Sequence, residues 1–152
     1  MIETLSPATS NRRILLSRQE FTELISIVHE AHKVGVVHRD LSFGNIFRVK
    51  NHLLLNDWGA ARMISRQKAT FSGILHLQCD LDFLEALCQD GGDIDTFTYK
   101  PSFRHDWCTL IAMLYCMSYT TVHESIKGCK DAEKLKSFWV TSFEVDPWKT
   151  LY

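Results

Sequence analysis

Three oxygen-bearing side chains on either side of a short β-prone stretch constrain this chain more than any other feature. Asp40 is followed by Asn45 five residues later and by Asp57 after twelve more. Between Asn45 and Asp57, the β-prone segments 46–49 and 52–55 are separated by two residues, a pattern that predicts a hairpin. A hairpin brings the chain back to the edge where it began, so we expect the two polar loops to lie side by side.

These three side chains suit a particular chemistry. Asn45 and Asp57 offer the oxygen ligands that a hard cation such as Mg²⁺ prefers. Asp40 is free to accept a hydrogen bond from a substrate hydroxyl and to act as a general base. Phosphoryl transfer from ATP needs positioning, charge neutralisation by Mg²⁺ and a group that orients the attacking hydroxyl. The pattern therefore predicts a Mg²⁺ site beside a candidate general base, and ATP as the second cofactor is implied by the resemblance described below.

Helical periodicity precedes the first polar loop. Ser17 and Glu20 have capping-box spacing. Gly35 stands where a left-handed residue would end a helix. The spacing predicts a helix over about 18–33. The apolar residues that follow this helical spacing are Phe21, Leu24, Ile25, Val28 and Ala31.

Downstream of Asp57 the chain alternates between loops and helices. Residues 60–80 show little periodicity and predict a long surface loop, and long loops in compact domains are often functional. A short helix is expected to begin near Leu81 and to end at Gly91-Gly92. The segment 107–117 is apolar on every side, which is typical of a buried helix.

Two more features complete the predicted fold. Asp106 is a suitable N-cap for the buried helix. An amphipathic helix is predicted from Ala132 to Phe143. We therefore expect residues 1–152 to form a single mainly α domain with one small β hairpin, in which residues 1–16 are an irregular lead-in.

Composition excludes several functional classes. The 152 residues are 45% hydrophobic and 23% charged with a net charge of −1, which predicts a folded domain and no general attraction to nucleic acid or to an anionic membrane. Five cysteines without a Cys-x-x-Cys pair argue against a zinc site and favour reduced thiols. With no signal-peptide or membrane-spanning pattern, the sequence predicts an intracellular protein, either cytoplasmic or nuclear.

The region from Val36 to Gly59 resembles the catalytic core of eukaryotic-type protein kinases. The residues that carry the resemblance are Val37-His38-Arg39-Asp40-Leu41-Ser42-Phe43-Gly44-Asn45 and Asp57-Trp58-Gly59. The resemblance implies transfer of phosphate from ATP to a serine or threonine hydroxyl of a protein substrate.

The resemblance also implies a role for each residue of the two loops. Asp40 would be the catalytic base, and Asn45 and Asp57 would hold Mg²⁺. Arg39 would pair with a phosphorylated or acidic residue of the following loop. Ser42 stands where many kinases have a lysine beside the transferring phosphate, and we expect it to face the nucleotide without supplying a positive charge.

The resemblance extends beyond these loops. Phe71-Ser72-Gly73 is similar to part of a kinase activation segment, which would occupy residues 57–80, with Thr70 and Ser72 as candidate phosphorylation sites. His105-Asp106-Trp107 is similar to the start of the central helix of the C-terminal lobe, whose aspartate braces the His-Arg-Asp backbone. Gln78-Cys79-Asp80 replaces the common Ala-Pro-Glu, and its usual arginine partner is expected to be absent.

The expected fold is therefore a protein kinase-like C-terminal lobe without its N-terminal lobe. Residues 1–37 contain no Gly-x-Gly-x-x-Gly motif. We expect the N-terminal lobe to come from missing sequence or from another chain, and the chain alone to be inactive or very weak. The Asp-Leu-Ser-x-Gly-Asn form of the loop more narrowly resembles divergent fungal and oomycete kinases such as the Crinkler type.

Two other functions remain open at this stage. A non-catalytic pseudokinase that binds a partner kinase would tolerate both Ser42 and the absent glycine-rich loop. A small-molecule kinase of the aminoglycoside or choline type would also carry an aspartate-to-asparagine loop and an Asp-Trp pair. Arg39, Gly59 and the segment 71–73 favour the protein kinase interpretation.

Overall fold

The computed structural model describes residues 2–4, 16–145 and 148–151. The helices are α1 (Arg18–Lys33), α2 (Leu81–Gln89), α3 (Phe103–Ser118), α4 (Thr120–Ile126), α5 (Ala132–Ser142) and α6 (Trp148–Leu151). The strands are β1 (Ile2–Thr4), β2 (Val36–Val37), β3 (Ile46–Val49), β4 (His52–Leu55), β5 (Arg62–Met63), β6 (Ala69–Thr70) and β7 (Thr98–Tyr99).

The strands and loops pack on a helical core. α3 has buried side chains over most of its circumference, and Trp107, Ile111 and Leu114 on the remaining face are partly buried against the core. α2 packs against α5, and Leu84, Leu135 and Trp139 are fully buried in the shared core. Within the described residues, no helix combines the length and the apolarity needed to cross a bilayer.

The strands form small antiparallel sheets around the polar loops. β3 and β4 form the predicted hairpin, with Ile46 opposite Leu55 and Val49 opposite His52. β1 adds to the other edge of β3, so Ile2–Thr4 is a strand where an irregular lead-in was expected, while residues 5–15 lie outside the described part of the chain. β2 pairs with β5, and β6 pairs with β7. The predicted loop over 60–80 therefore contains two short strands.

α1 has the predicted bounds and holds the hairpin in place. Both bonds of the capping box between Ser17 and Glu20 are present, at 3.0 and 3.1 Å. Glu20 also accepts a hydrogen bond from Arg48 Nε at 2.5 Å, and Glu23 Oε1 accepts the Leu53 amide at 3.0 Å. The bond from Arg48 is the largest cause that lowers the pKa of Glu20. One face of α1 is thus fixed to both strands of the hairpin.

The N-terminus of α3 differs from the prediction. The helix begins at Phe103 with Ser102 as its N-cap, and His105 Nδ1 accepts the Ser102 amide at 3.0 Å. Asp106 was the expected cap, but it lies in the first turn and its carboxylate has other partners. Ser102 is as good a capping type as aspartate, so local sequence alone did not distinguish the two.

Asp106 instead braces the first polar loop. Its Oδ2 accepts the His38 amide at 2.8 Å and its Oδ1 accepts the Arg39 amide at 3.0 Å. His32 Nε2 lies 2.8 Å from Oδ2, so the end of α1 meets the same carboxylate. The Asp106 side chain is 2% exposed, and charge-assisted bonds in such a site are stronger than neutral ones. The backbone brace implied by the resemblance is present.

Asp80 anchors the far end of the loop over 57–80. Its Oδ1 caps α2 by accepting the Asp82 and Phe83 amides at 3.0 and 3.3 Å. Its Oδ2 accepts a bond from Arg104 Nε at 3.2 Å. The expectation that this segment lacks an arginine partner is wrong, because Arg104 comes from the first turn of α3, 24 residues away in sequence.

We predict that Asp106→Asn weakens the fold. An amide presents an NH₂ group to one of the two backbone donors and removes the charge, so the free energy of unfolding should fall by about 1.5–3 kcal/mol. Urea unfolding followed by tryptophan fluorescence measures this. The matched control is Asp90→Asn at the exposed end of α2, which should change stability by less than about 0.5 kcal/mol. Equal midpoints for the two variants would contradict the brace.

Candidate active site

The first polar loop has a strained conformation that the brace maintains. Arg39 has φ +74°, in the left-handed region that costs a non-glycine residue free energy. Two main-chain bonds to Asp106 flank this residue, one to its own amide and one to the amide before it. The brace therefore fixes the direction in which the next residue, Asp40, leaves the loop.

Hydrogen bonds join the two polar loops directly. The Asn56 amide donates to the Asn45 carbonyl at 2.8 Å. His38 Nδ1 accepts the Asp40 amide at 3.1 Å, which leaves Nε2 to donate to the Asn56 carbonyl at 3.0 Å. The His38 ring thus holds both loops and has a defined tautomer. These bonds bring together the residues that precede and follow the hairpin.

Asp40 and Asn45 lie within the same loop. Asn45 Nδ2 donates to the Asp40 carbonyl at 2.7 Å, so the side-chain oxygen of Asn45 remains available as a ligand. Burial raises the pKa of Asp40 above its ordinary value, and the negative charge of Asp57 raises it further. Hydrogen bonding from Asn45 opposes this effect. The carboxylate of Asp57 is therefore close enough to Asp40 to act on it electrostatically.

Asp57 is exposed and has left-handed backbone geometry, with φ +59°. Trp58, which follows it, donates from Nε1 to the Leu55 carbonyl at 2.8 Å and packs edge-on against His38 at 4.5 Å between ring centroids. The tryptophan therefore ties the start of the second loop to both β4 and the first loop. Among the described residues, no cationic side chain forms an ion pair with Asp57.

The oxygen atoms of Asn45 and Asp57 suit a hard cation that is also coordinated by the phosphates of a bound nucleotide. Within the described ranges, no group of three or more His, Cys, Asp or Glu side chains is arranged to hold a metal ion. An ion between the two loops would meet the carboxylate of Asp57 and the amide oxygen of Asn45. Mg²⁺ is usually held by one or two carboxylates, waters and substrate phosphates. The residues present fit that pattern.

Ser42 lies inside the first loop and is buried, with 6% of its surface exposed. Its carbonyl accepts the Asn45 amide at 3.2 Å, which shapes the 3-10 turn at Phe43–Asn45. The position therefore carries a neutral side chain close to Asn45. It supplies no positive charge to the site, in agreement with the sequence.

Arg39 was expected to pair with an acidic or phosphorylated residue, but it binds neutral oxygens. Nη1 donates to the Ala60 carbonyl at 2.8 Å, Nη2 donates to the Thr70 carbonyl, and Nε donates to the Tyr99 hydroxyl at 3.4 Å. The guanidinium also lies 5.8 Å from the centre of the Tyr99 ring. Arg39 thereby links the first loop, the segment that follows Asp57, and β7.

Sequence reasoning missed Tyr99. It lies in a polar, turn-rich stretch, and its ring is buried against Phe83 and His105 at 5.0 Å from each. Burial raises the pKa of its hydroxyl, and the bond from Arg39 opposes this shift. A buried tyrosine usually needs a polar partner for its hydroxyl, but the identity of that partner depends on a contact 60 residues away in sequence.

The segment after β6 approaches the first loop closely. A Cβ at Gly73 would stand 3.2 Å from the Arg39 carbonyl and 3.2 Å from the Phe71 ring, so a larger side chain would force the two segments apart. Beside this segment lies an open groove of about 320 Å³ that is also lined by Ile94, Asp95 and Lys130. Its lining includes apolar side chains and two exposed residues of opposite charge, Asp95 and Lys130.

Comparisons with known proteins give a partial similarity. No family model matches the chain. Over 70 residues it is 39% identical to NUAK family SNF1-like kinase 1 of Mus musculus and of Homo sapiens. The match covers 42% of this chain and only 11% of each relative's length. Neither relative is a Crinkler-type kinase, and the comparisons show kinase-like similarity over part of the chain.

Proposed function

We propose that the chain is the C-terminal-lobe part of a protein kinase-like phosphotransferase that acts on serine or threonine hydroxyls with ATP and Mg²⁺. The observation that carries the proposal is the direct bonding of the two loops across the hairpin. The Asn56 amide binds the Asn45 carbonyl, and Asp57 acts electrostatically on Asp40. The partial similarity to a protein kinase supports the same conclusion.

Each loop residue has a proposed role. Asp40 accepts a hydrogen bond from the substrate hydroxyl, orients it, and takes its proton as the hydroxyl oxygen bonds to the γ-phosphorus of ATP. The bond from that phosphorus to the bridging oxygen of the β-phosphate breaks, and ADP leaves. Asn45 contributes its free amide oxygen and Asp57 its carboxylate to the cation. Mg²⁺, when bound, neutralises charge on the phosphates. Ser42, which is buried in the first loop, is neutral and leaves the phosphates without lysine assistance.

The second wall of the nucleotide site is proposed to come from outside the described residues. ATP in a kinase lies between two lobes, and the loops described here form one side of such a cleft. The chain spans only 11% of the relatives it matches. Sequence outside these 152 residues, or another chain, is therefore the proposed source of the N-terminal lobe.

A protein substrate fits the surroundings better than a small molecule. The groove beside Phe71–His76 includes Gly73 in its lining. A Cβ at Gly73 would stand 3.2 Å from the carbonyl of Arg39, the residue before Asp40, so this part of the groove lies near the first loop. We propose that an extended peptide lies in the groove with its hydroxyl directed to Asp40. The charged residues Asp95 and Lys130 of the lining would meet side chains of that peptide.

We predict that Mg²⁺–ATP stabilises the folded chain through Asp57. A ligand at ten times its dissociation constant adds about 1.4 kcal/mol, or roughly 3–5 °C in melting temperature for a domain of this size. Differential scanning fluorimetry with Mg²⁺–ATP, and with ATP in EDTA, measures the shift. Asp57→Asn should abolish it, whereas Asp90→Asn should retain it. A shift that survives in EDTA and in Asp57→Asn would place the nucleotide elsewhere.

We predict that Asp40→Asn reduces transfer of labelled phosphate from ATP to a generic protein substrate by about 10²–10⁴-fold, with Asp90→Asn as the matched control. Because the pKa of Asp40 is raised, the base should lose function on acidification at a higher pH than an ordinary aspartate would. Equal incorporation by wild type and Asp40→Asn would remove Asp40 from the mechanism. Nucleotide binding without any transfer by wild type, even when a longer protein or a partner chain supplies the N-terminal lobe, would instead favour the binding-module alternative.

A further inference from the structure

Each nitrogen of the Arg39 guanidinium already has a hydrogen-bond acceptor. The three acceptors are neutral oxygens, on Ala60, Thr70 and Tyr99. Arg39 is 8% exposed, and among the described residues it forms no ion pair with a carboxylate. Two of the three acceptors belong to the segment that follows Asp57, so one buried side chain binds that segment near each end.

The space beside Arg39 is small. The cavity that it shares with Phe71, Gly73, Tyr99 and Asp106 has a volume of about 10 Å³. A single water needs about 10–15 Å³, so a phosphate group does not fit. A phosphate could reach the guanidinium only if the surrounding segment moved.

The candidate phosphorylation sites lie on the outside of this arrangement. Thr70 and Ser72 are both exposed, while the main chain of Thr70 is held by Arg39 and pairs with Thr98 across the β6–β7 ladder. A phosphate on either hydroxyl would compete with the Thr70 carbonyl for the guanidinium of Arg39. The existing bonds therefore oppose a change in which Arg39 releases the Thr70 carbonyl and pairs with a phosphate.

Packing of the ring and pairing of the strand fix the position of Tyr99. Its ring is 9% exposed and is packed by Phe83, His105 and Phe71. Its strand pairs with β6, with Tyr99 directly opposite Ala69. Tyr99 thus binds the same segment twice, by its main chain through β6 and by its hydroxyl through Arg39.

We propose that Arg39 and Tyr99 form a clasp that keeps the segment 60–73 ordered without phosphorylation. The clasp is defined by Arg39, Tyr99 and the carbonyls of Ala60 and Thr70. The clasp would keep the active site organised without an activating phosphate, and this regulatory role rests on the proposed function. The clasp itself is tested independently of that function, because order in the segment is measurable without nucleotide.

Hydrogen–deuterium exchange on the full chain tests the clasp. The protein is treated with phosphatase, and the absence of phosphate is verified by mass spectrometry. Wild type should exchange at least about tenfold more slowly over 69–73 than an unstructured peptide does. Arg39→Lys should accelerate that exchange about tenfold, because an ammonium cannot replace three directed bonds. Arg66→Lys, the same change at an exposed arginine of the segment, should leave it unaltered.

Two further variants keep the test decisive. Tyr99→Phe keeps the ring and removes one acceptor, so exchange over 69–73 should rise about fivefold while α5 stays protected. If Arg39→Lys also exposes α5, this milder variant decides the matter. Thr70→Glu and Ser72→Glu should leave the exchange rate of 69–73 unchanged.

Opposite results would overturn the clasp. These are a dephosphorylated wild type that exchanges over 69–73 at the unstructured rate, or at least tenfold added protection in either glutamate variant. Unaltered exchange in Tyr99→Phe would also contradict it. If Mg²⁺–ATP does not raise the melting temperature of wild type while residues 69–73 stay protected from exchange, the proposed function is wrong and the clasp is supported.

Discussion

One buried carboxylate organises the structure around the polar loops. Asp106 accepts the amides of His38 and Arg39 and meets His32 at the end of α1. A buried charge is costly unless it is fully hydrogen-bonded, so the loop main chain must come to Asp106 for the fold to form. That requirement connects the central helix, α1 and the loop. Arg39 takes its left-handed conformation at this point of attachment.

The hairpin determines where the second loop lies relative to the first. β3 and β4 return the chain to its starting edge, and Asn56 then binds the Asn45 carbonyl. Asp57 consequently acts electrostatically on Asp40, and burial together with this negative charge raises the pKa of Asp40. In isolation this closeness is unfavourable because like charges repel. A cation between the loops would relieve the repulsion, which gives the arrangement a physical reason to bind one.

Local features were predictable from the sequence, and long-range partners were not. The bounds of α1 and of the hairpin follow from capping and alternation over a few residues. The kinase resemblance correctly implied that Asp106 braces the loop, whereas the capping pattern wrongly predicted Asp106 as the N-cap of α3. The pair between Arg104 and Asp80 depends on tertiary packing, which no local pattern encodes. The contacts of Tyr99 have the same origin.

Manganese in place of magnesium tests the shared site most directly, because a bound Mn²⁺ broadens the magnetic resonance signals of nearby nuclei. We predict that substoichiometric Mn²⁺ with ATP broadens the side-chain amide of Asn45 and the backbone amides of Asp40 and Asp57. The signals of α5 should stay sharp. Broadening centred on the exposed carboxylates of Asp90, Asp93 and Asp95, with residues 40, 45 and 57 unaffected, would contradict the account.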